Sequence, residues 1–258
     1  MTAPLVFITG ASGGIGQALA EAYARAGWRL ALVARREAAL RAWADAQALD
    51  GRRCALYAAD VRQTDSIVAA GRACLNQQGV PDVVIAAAGI SVGVDSSCRE
   101  DLDTMQDVYA TNVLGLAATF HPFIAPMRER GSGRLVGVAS VAAIRGLPGH
   151  GAYSGSKAAV VAYCESLRVE CRAQGVRVVT LLPGYVATPL TARNPYRMPF
   201  LMSPQDFAEQ ARAAISAGTS YRVIPWQMAV AAKVLRLLPN ALYDRLVARR
   251  GRKPRRQP

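Results

Sequence analysis

Short apolar segments alternate with longer segments of helical periodicity along this chain of 258 residues. The apolar segments predict seven strands, at residues 5–9, 29–34, 53–59, 83–87, 134–139, 176–182 and 221–224. Helices are predicted at residues 15–26, 37–49, 64–77, about 102–130 and 153–174, with a shorter one after Ser203-Pro204. This alternation predicts an α/β fold, a Rossmann-like, doubly wound, mostly parallel sheet with helices on both faces. We expect residues 1–248 to form it as a single domain.

The formal net charge is +13, and six of the basic residues lie in residues 249–258, where there is no acid. A basic tail can bind nucleic acid or an anionic membrane. A short segment with two prolines and no apolar residue is more typical of a disordered, solvated tail. We therefore expect a disordered tail at residues 249–258 and no nucleic-acid partner.

The five cysteines and two histidines are scattered, and no two cysteines have the C-x-x-C spacing. They predict neither a metal site nor a disulfide framework. The apolar start of the chain lacks the basic region and cleavage site of a secretory signal. No apolar run approaches the roughly 20 residues that a membrane-spanning helix needs. These observations favour a cytoplasmic location.

A glycine-rich turn joins the first predicted strand to the first predicted helix. Its sequence is Thr9-Gly10-Ala11-Ser12-Gly13-Gly14-Ile15-Gly16. Glycines let the backbone turn tightly and approach a ligand, and the free N–H groups at a helix start attract phosphate. The position between a strand and a helix favours a pyrophosphate-binding loop over a merely tight turn.

The residues at the end of the second strand predict which dinucleotide this loop binds. Folds of this kind that select NAD usually carry an acid there, which holds the ribose hydroxyls. Here the segment is Val33-Ala34-Arg35-Arg36, and an arginine can pair with a 2′-phosphate. We predict NADP(H), the alternative being solvated arginines at a helix start. Asp60-Val61 is predicted to frame the adenine, with Asp60 accepting a hydrogen bond from its amino group.

Tyr153 and Lys157 lie four residues apart at the start of a predicted helix, so their side chains share one face. A phenol with a pKa of about 10 is a poor base at neutral pH, and a neighbouring ammonium lowers that pKa. The pair can then exchange a proton with an alcohol or carbonyl oxygen while hydride moves at the adjacent carbon. The chain holds three lysines against 28 arginines. This scarcity argues against a chance Tyr–Lys pair on a solvated helix.

Two further polar residues are candidates for the same site. Ser140 ends a predicted strand at the edge where such sheets bind ligands, so its hydroxyl could hold a substrate oxygen or simply cap a turn. Asn112 lies in the middle of a predicted helix, where it could bend the helix and order a relay water, or be a tolerated polar residue.

Together these residues resemble the short-chain dehydrogenase/reductase family, classical type, over the chain to about residue 225. The motifs occur in the family's order: Thr9-Gly10-x-x-x-Gly14-Ile15-Gly16, Asp60-Val61, Ala88-Gly89, Asn112, Ser140, Tyr153-x-x-x-Lys157 and Pro183-Gly184-x-x-x-Thr188. The resemblance implies that Tyr153 is the general acid/base and that Lys157 lowers its pKa and binds the nicotinamide ribose. Ser140 would orient the substrate oxygen, and Asn112 would hold the relay water.

The resemblance also implies which residues bind the nicotinamide and how the subunits associate. Val186, through its backbone, and Thr188 would hold the carboxamide. The family is usually homodimeric or homotetrameric, with the helices that carry Asn112 and Tyr153 in an interface.

Two positions depart from the family pattern. The segment Ala86-Ala87-Ala88-Gly89 lacks the family's asparagines, and Gly13 replaces a basic residue of many NADP-preferring members. Cofactor choice then depends on Arg35, with Arg36 beside it.

The predicted function is an NADP(H)-dependent oxidoreductase that interconverts an alcohol and a carbonyl on a small lipophilic molecule. A non-enzymatic nucleotide-sensing or scaffold protein on the same fold is the alternative.

Residues 187–203, with three prolines and an apolar patch, could be a substrate lid or a loop packed on the core. Residues 226–248 predict amphipathic helices. These could close the pocket or cover a subunit interface, which we favour, or lie on a membrane.

Overall fold

The computed structural model describes residues 2–192, 194–248 and 251–256. These residues form a seven-stranded sheet in the order β3-β2-β1-β4-β5-β6-β7, and every pairing is parallel. The strands are β1 (Leu5–Thr9), β2 (Arg29–Ala34), β3 (Cys54–Ala58), β4 (Val83–Ala86), β5 (Gly133–Val138), β6 (Val176–Pro183) and β7 (Tyr221–Ile224). The predicted seven-stranded, doubly wound sheet is confirmed.

The helices follow the predicted alternation. They are α1 (Gly14–Arg25), α2 (Glu37–Ala46), α3 (Thr64–Gln78), α4 (Asp101–Tyr109), α5 (Gly115–Arg130), α6 (Gly151–Arg172), α7 (Pro204–Ala217), α8 (Trp226–Leu237) and α9 (Asn240–Val247). The long helix predicted near residues 102–130 is divided into α4 and α5 by a π-helical turn, Ala110–Leu114. As predicted, Ser203 caps α7, where its Oγ accepts a hydrogen bond from the Asp206 N–H at 3.0 Å.

Helices cover both faces of the sheet, and each face has its own apolar core. Successive strand residues point to opposite faces, so Val6 enters one core and Phe7 the other. On the Phe7 side, its ring packs 4.7 Å from that of Phe123 in α5. Burial on both faces explains why the strands are continuous apolar runs in the sequence.

The helical run Asp101–Arg130 has the length and apolar composition of a membrane-spanning helix. Half of its most apolar window is buried inside the structure. Phe120, Phe123 and Met127 are fully buried there and pack on the sheet. Length and composition are therefore weak grounds for a membrane span in this run.

Six residues of the predicted basic tail, 251–256, are among those that the structure describes. Residues 251–256, which we call the C-terminal arm, lie against the loop after β4, where the Gly93 N–H donates to the Pro254 carbonyl at 3.0 Å. Arg255 pairs with the buried carboxylate of Asp101 at 2.7 Å. Asp101, which is distant in sequence, thus binds the C-terminal arm, whose composition is typical of a solvated segment. Residues 249, 250, 257 and 258 of the predicted tail lie outside the described residues.

Candidate active site

A cleft of about 600 Å³ opens at the carboxyl ends of β1 and β4, where the strand order reverses. Open α/β sheets bind ligands at this edge. Every residue predicted to bind the cofactor lines the cleft: Gly10, Ser12, Gly14, Ile15, Gly16, Arg35, Arg36, Asp60, Val61, Ala88, Gly89, Tyr153, Lys157, Pro183, Gly184, Val186 and Thr188. The fold therefore brings the separate motifs of the sequence to one surface.

The glycine turn is built for close approach at one end of this cleft. Gly10 has a φ of 71°, and a Cβ there would lie 2.8 Å from the backbone of Ala88. No side chain caps the start of α1 after Gly13. The first N–H groups of α1 thus lack a side-chain acceptor, which suits the oxygens of a pyrophosphate.

The nucleotide end of the cleft is cationic. Arg35 and Arg36 follow β2 and are exposed at the cleft. Asp60 lies beyond β3, and its carboxylate pairs with Arg62 at 2.8 Å. That hydrogen bond is the main reason why the pKa of Asp60 is lowered. Arg62, which the sequence motifs did not single out, keeps this acid ionised and oriented as a hydrogen-bond acceptor.

Tyr153 and Lys157 share the inner face of α6, as their spacing predicts. The Lys157 ammonium is buried and donates to the Val138 carbonyl at 2.7 Å. It lies 5.9 Å from the centroid of the Tyr153 ring. Burial lowers the pKa of Lys157 to about 8. Burial also raises the pKa of Tyr153, and a hydrogen bond with Ser140 opposes this rise.

Of the two roles suggested for Ser140, the structure shows the turn cap. Its Oγ accepts a hydrogen bond from the Ala142 N–H at 3.2 Å and so caps the 3₁₀ turn Val141–Ala143. Ser140 and Tyr153 both line the cleft and the smaller pocket beside it. The turn that Ser140 caps therefore holds its side chain beside the phenol.

Asn112 lies in the π-helical turn and is buried behind the cleft rather than lining it. Its Oδ1 accepts from the Ile90 N–H at 2.9 Å, and its Nδ2 donates to the Ile90 carbonyl at 3.0 Å. Nδ2 also donates to Ser156 Oγ at 2.9 Å. Asn112 therefore joins the loop after β4 to α6, and the local widening of the helix aims its amide there.

A smaller pocket adjoins the cleft and shares Ser140 and Tyr153 with it. Most of its walls are apolar, among them Val141, Ile144, Leu147, Tyr185, Met228 and Leu235. The expected lid contributes Leu190, Thr191, Asn194 and Tyr196 to this pocket. The Ala187 N–H donates to the Met202 carbonyl at 2.9 Å, which fixes the two ends of that loop. The loop thus encloses space next to the phenol.

The inner faces of α8 and α9 close the far side of the same pocket, through Met228, Leu235 and Tyr243 among others. Their outer faces carry exposed apolar side chains, such as Trp226 and Leu237. Of the three roles suggested for residues 226–248, pocket closure describes the inner faces. The interface and membrane alternatives concern the outer faces.

The C-terminal arm supplies two site residues that the sequence motifs missed. Lys253 lines the smaller pocket, and Arg256 lines the cleft. Arg256 pairs with Asp107 of α4 at 3.0 Å. The rarity of lysine in this chain was the available signal for Lys253, but nothing in the sequence placed the arm near the site.

Known proteins match this chain over most of its length. The family model for short chain dehydrogenases matches residues 4–197. An uncharacterized oxidoreductase of Myxococcus xanthus is 40% identical over 237 residues, 92% of this chain and 93% of the relative. The sulfoacetaldehyde reductase of Chromohalobacter salexigens is 33% identical over 217 residues, 80% of this chain and 85% of the relative.

Solved structures share the fold. An alcohol dehydrogenase of Thermococcus sibiricus, complexed with 5-hydroxy-NADP, is 26% identical with a TM-score of 0.75, over 86% of this chain and 96% of that one. A 3-ketoacyl-(acyl-carrier-protein) reductase of Brucella melitensis, complexed with NADH, is 26% identical with a TM-score of 0.76, over the same shares of 86% and 96%. The first of these structures holds an NADP derivative, and the second holds NADH.

Proposed function

Because this chain belongs to the short-chain dehydrogenase/reductase family, we propose that it is an NADP(H)-dependent oxidoreductase that interconverts an alcohol and a carbonyl compound. One observation carries the proposal. Tyr153 and Ser140 stand at the boundary between a dinucleotide-sized cleft and an apolar pocket, with Lys157 beside them in the cleft. A substrate oxygen at this boundary would meet both hydroxyls.

The chemistry divides between the cofactor and the side chains. When bound, the nicotinamide supplies or accepts the hydride. In reduction, the Tyr153 phenol donates its proton to the carbonyl oxygen, and its raised pKa keeps that proton in place at neutral pH. Ser140 orients the same oxygen. Lys157 binds the ribose, and Asn112 acts at a distance by holding the backbone of Ile90 and the start of α6.

The residues of the nucleotide end support NADP(H) over NAD(H). Two arginines, Arg35 and Arg36, follow β2 where an NAD-selective site would place an acid. The cleft acid Asp60 is already paired with Arg62. We expect NADPH to bind at least about tenfold more tightly than NADH, since a charge-assisted pair with the 2′-phosphate is worth roughly 1.5–3 kcal/mol. Fluorescence titration of the purified protein with each cofactor measures this, and equal affinities would contradict it.

The apolar walls of the smaller pocket favour a carbonyl compound with a lipophilic body. The names of two relatives specify reduction of a carbonyl group, in sulfoacetaldehyde and in a 3-ketoacyl chain. These names support the reaction class. The alternative of a nucleotide-sensing or scaffold protein is less favoured, because such a protein needs no acid/base pair at a substrate pocket.

Replacement of the phenol tests the proposed catalysis. Tyr153→Phe removes the proton donor and keeps the ring, so turnover should fall by roughly 100-fold or more. The dissociation constant of NADPH should stay within about twofold of the wild-type value. Tyr163→Phe, on the same helix but outside the cleft, is the control and should keep full activity. NADPH oxidation over a panel of ketones and aldehydes gives the readout, and a Tyr153→Phe enzyme that still turns over would overturn the mechanism.

A further inference from the structure

Lys253 is buried although the composition of its segment suggests solvated charges. It is 8% exposed, close to the 5% of Lys157, whereas Lys233 is exposed. The Lys253 Nζ donates to the Leu190 carbonyl at 3.2 Å. Among residues 2–192, 194–248 and 251–256, no carboxylate forms an ion pair with it. A buried ammonium with one neutral acceptor is costly, which points to an anion that pairs with it.

The position of Lys253 says where such an anion would lie. Its side chain lines the smaller pocket, which Ser140 and Tyr153 also line. Most other walls of that pocket are apolar. The Oδ1 atom of Asn194, another lining residue, is buried and has no described hydrogen-bond partner. The Nδ2 atom of the same amide donates to the Met198 sulfur at 3.5 Å. Rotation of the amide would exchange this weak bond for a second donor to an anion.

The C-terminal arm holds Lys253 in this position through contacts outside the pocket. Arg252 pairs with Asp95, Arg255 with Asp101 and Arg256 with Asp107, at 3.4, 2.7 and 3.0 Å. The described arginines of the arm are therefore neutralised by acids, and the lysine points into the pocket. Burial lowers the pKa of Lys253 to about 8, so most of the ammonium stays charged at pH 7.

The loop after β4 is shaped to receive the arm. A Cβ at Gly93 would lie 2.0 Å from the Lys253 carbonyl oxygen, so only glycine lets the two backbones come this close. Gly93 also forms a β-bridge with Arg255. The arm is thus closely packed against the loop after β4, and its Lys253 forms part of the pocket wall.

We infer that the C-terminal arm completes the substrate pocket and that Lys253 binds an anionic group, a carboxylate, sulfonate or phosphate, on the carbonyl substrate. This inference rests on the proposed function and narrows its substrate class. The substrate then has three parts: a carbonyl at Tyr153 and Ser140, a lipophilic body against the apolar walls, and an anion at Lys253.

A pair of aldehydes that differ in charge but hardly in size tests this inference. The probes are 4-formylbenzoate and 4-formylbenzamide. Titration calorimetry with NADP⁺ present measures their binding without hydride transfer, and NADPH oxidation measures kcat/KM. The wild-type protein should prefer the carboxylate by about tenfold or more in both measurements.

Two variants assign that preference to the arm. Lys253→Met should abolish the preference, chiefly by weaker binding of the carboxylate, while the amide binds as before. Lys233→Met, at an exposed lysine, is the matched control and should keep the preference. Gly93→Ala should reproduce the loss by displacing the arm with Lys253 intact. Gly51→Ala, where a Cβ would meet nothing within 4 Å, is its control.

The outcomes separate this inference from the proposed function. Equal binding of the two aldehydes by the wild type, or a preference that survives Lys253→Met, would overturn the role of Lys253. A gain of activity in Gly93→Ala would also overturn it, because the arm would then obstruct the pocket. If the carboxylate preference holds in calorimetry but neither aldehyde supports NADPH oxidation, the anion site stands and the proposed reaction fails.

Discussion

Lys157 carries its charge inside the protein, against the Val138 carbonyl rather than a carboxylate. Burial is the main cause of its lowered pKa, about 8 against an ordinary 10.5. Its spacing from Tyr153 was evident in the sequence. The direction in which its ammonium points was not evident, because it depends on the packing of α6. That packing decides which strand carbonyl lies within hydrogen-bonding distance of the ammonium.

This buried charge predicts a pH-dependent stability. Between about pH 8 and 10.5 the unfolded state binds more protons at Lys157 than the folded state, so raising the pH relieves the cost of burial. Below pH 8 that cost is fully present. The stability of Lys157→Met relative to wild type should therefore fall by up to about 3 kcal/mol from pH 7 to pH 10.5. Urea unfolding at a series of pH values measures this. Lys233→Met should show no such trend, and a difference that is constant with pH would contradict the prediction.

At the scale of elements, Arg145 joins the segment after β5 to α8 and α9. Its guanidinium donates to the carbonyls of Leu235 and Leu238, the latter at 2.8 Å, and to Asn240 Oδ1 at 2.9 Å. It also stacks 3.8 Å from the centroid of the Tyr243 ring. These bonds satisfy carbonyls at the end of α8 and hold both helices over the smaller pocket.

Arg145→Met is predicted to loosen this cover without touching the cofactor cleft, which Arg145 does not line. The free energy of unfolding should fall by about 2 kcal/mol, from several lost hydrogen bonds. The KM for the carbonyl substrate should rise about fivefold or more, with the dissociation constant of NADPH unchanged. Steady-state kinetics and cofactor titration check this, with Arg99→Met on the exposed face of the molecule as control. An unchanged KM would mean that the helices stay in place without Arg145.

At the scale of the whole molecule, the helices that carry the site residues also present exposed apolar side chains. Leu114, the last residue of the π-helical turn, is 63% exposed, and Val169 is 67% exposed on α6. Leu102 and Met105 of α4 are exposed as well. In a family that is usually oligomeric, we propose that these faces form a subunit interface of a homodimer or homotetramer.

Charge placed on this surface should separate the subunits. Leu114→Arg combined with Val169→Arg is expected to separate the subunits across this interface, and so to convert a homodimer to a monomer. Each subunit would bury two unpaired cations there, four in all, and buried unpaired cations are costly. Analytical ultracentrifugation gives the mass in solution. Val230→Arg, at an exposed apolar site on α8, is the control. A wild-type protein that sediments as a monomer, or a double variant that stays assembled, would exclude this interface.

Features that depend on near neighbours along the chain could be predicted from the sequence. The apolar alternation predicted all seven strands, the glycine turn predicted the start of α1, and four-residue spacing put Tyr153 and Lys157 on one face. Periodicity and backbone conformation set these features, and both are local properties. The residues predicted to bind the cofactor line one cleft, because a doubly wound sheet brings the ends of its strands to one edge.

Long-range contacts placed the residues of the smaller pocket. Arg255 meets Asp101 across 154 positions of sequence, and this contact anchors the arm that carries Lys253. The pKa shifts of Tyr153 and Lys157 likewise follow from burial, which depends on everything packed around them. No local sequence pattern predicts which acid will pair with a basic tail or how deeply a charged group will be buried. Those outcomes depend on long-range packing, which places Lys253 in the wall of the smaller pocket.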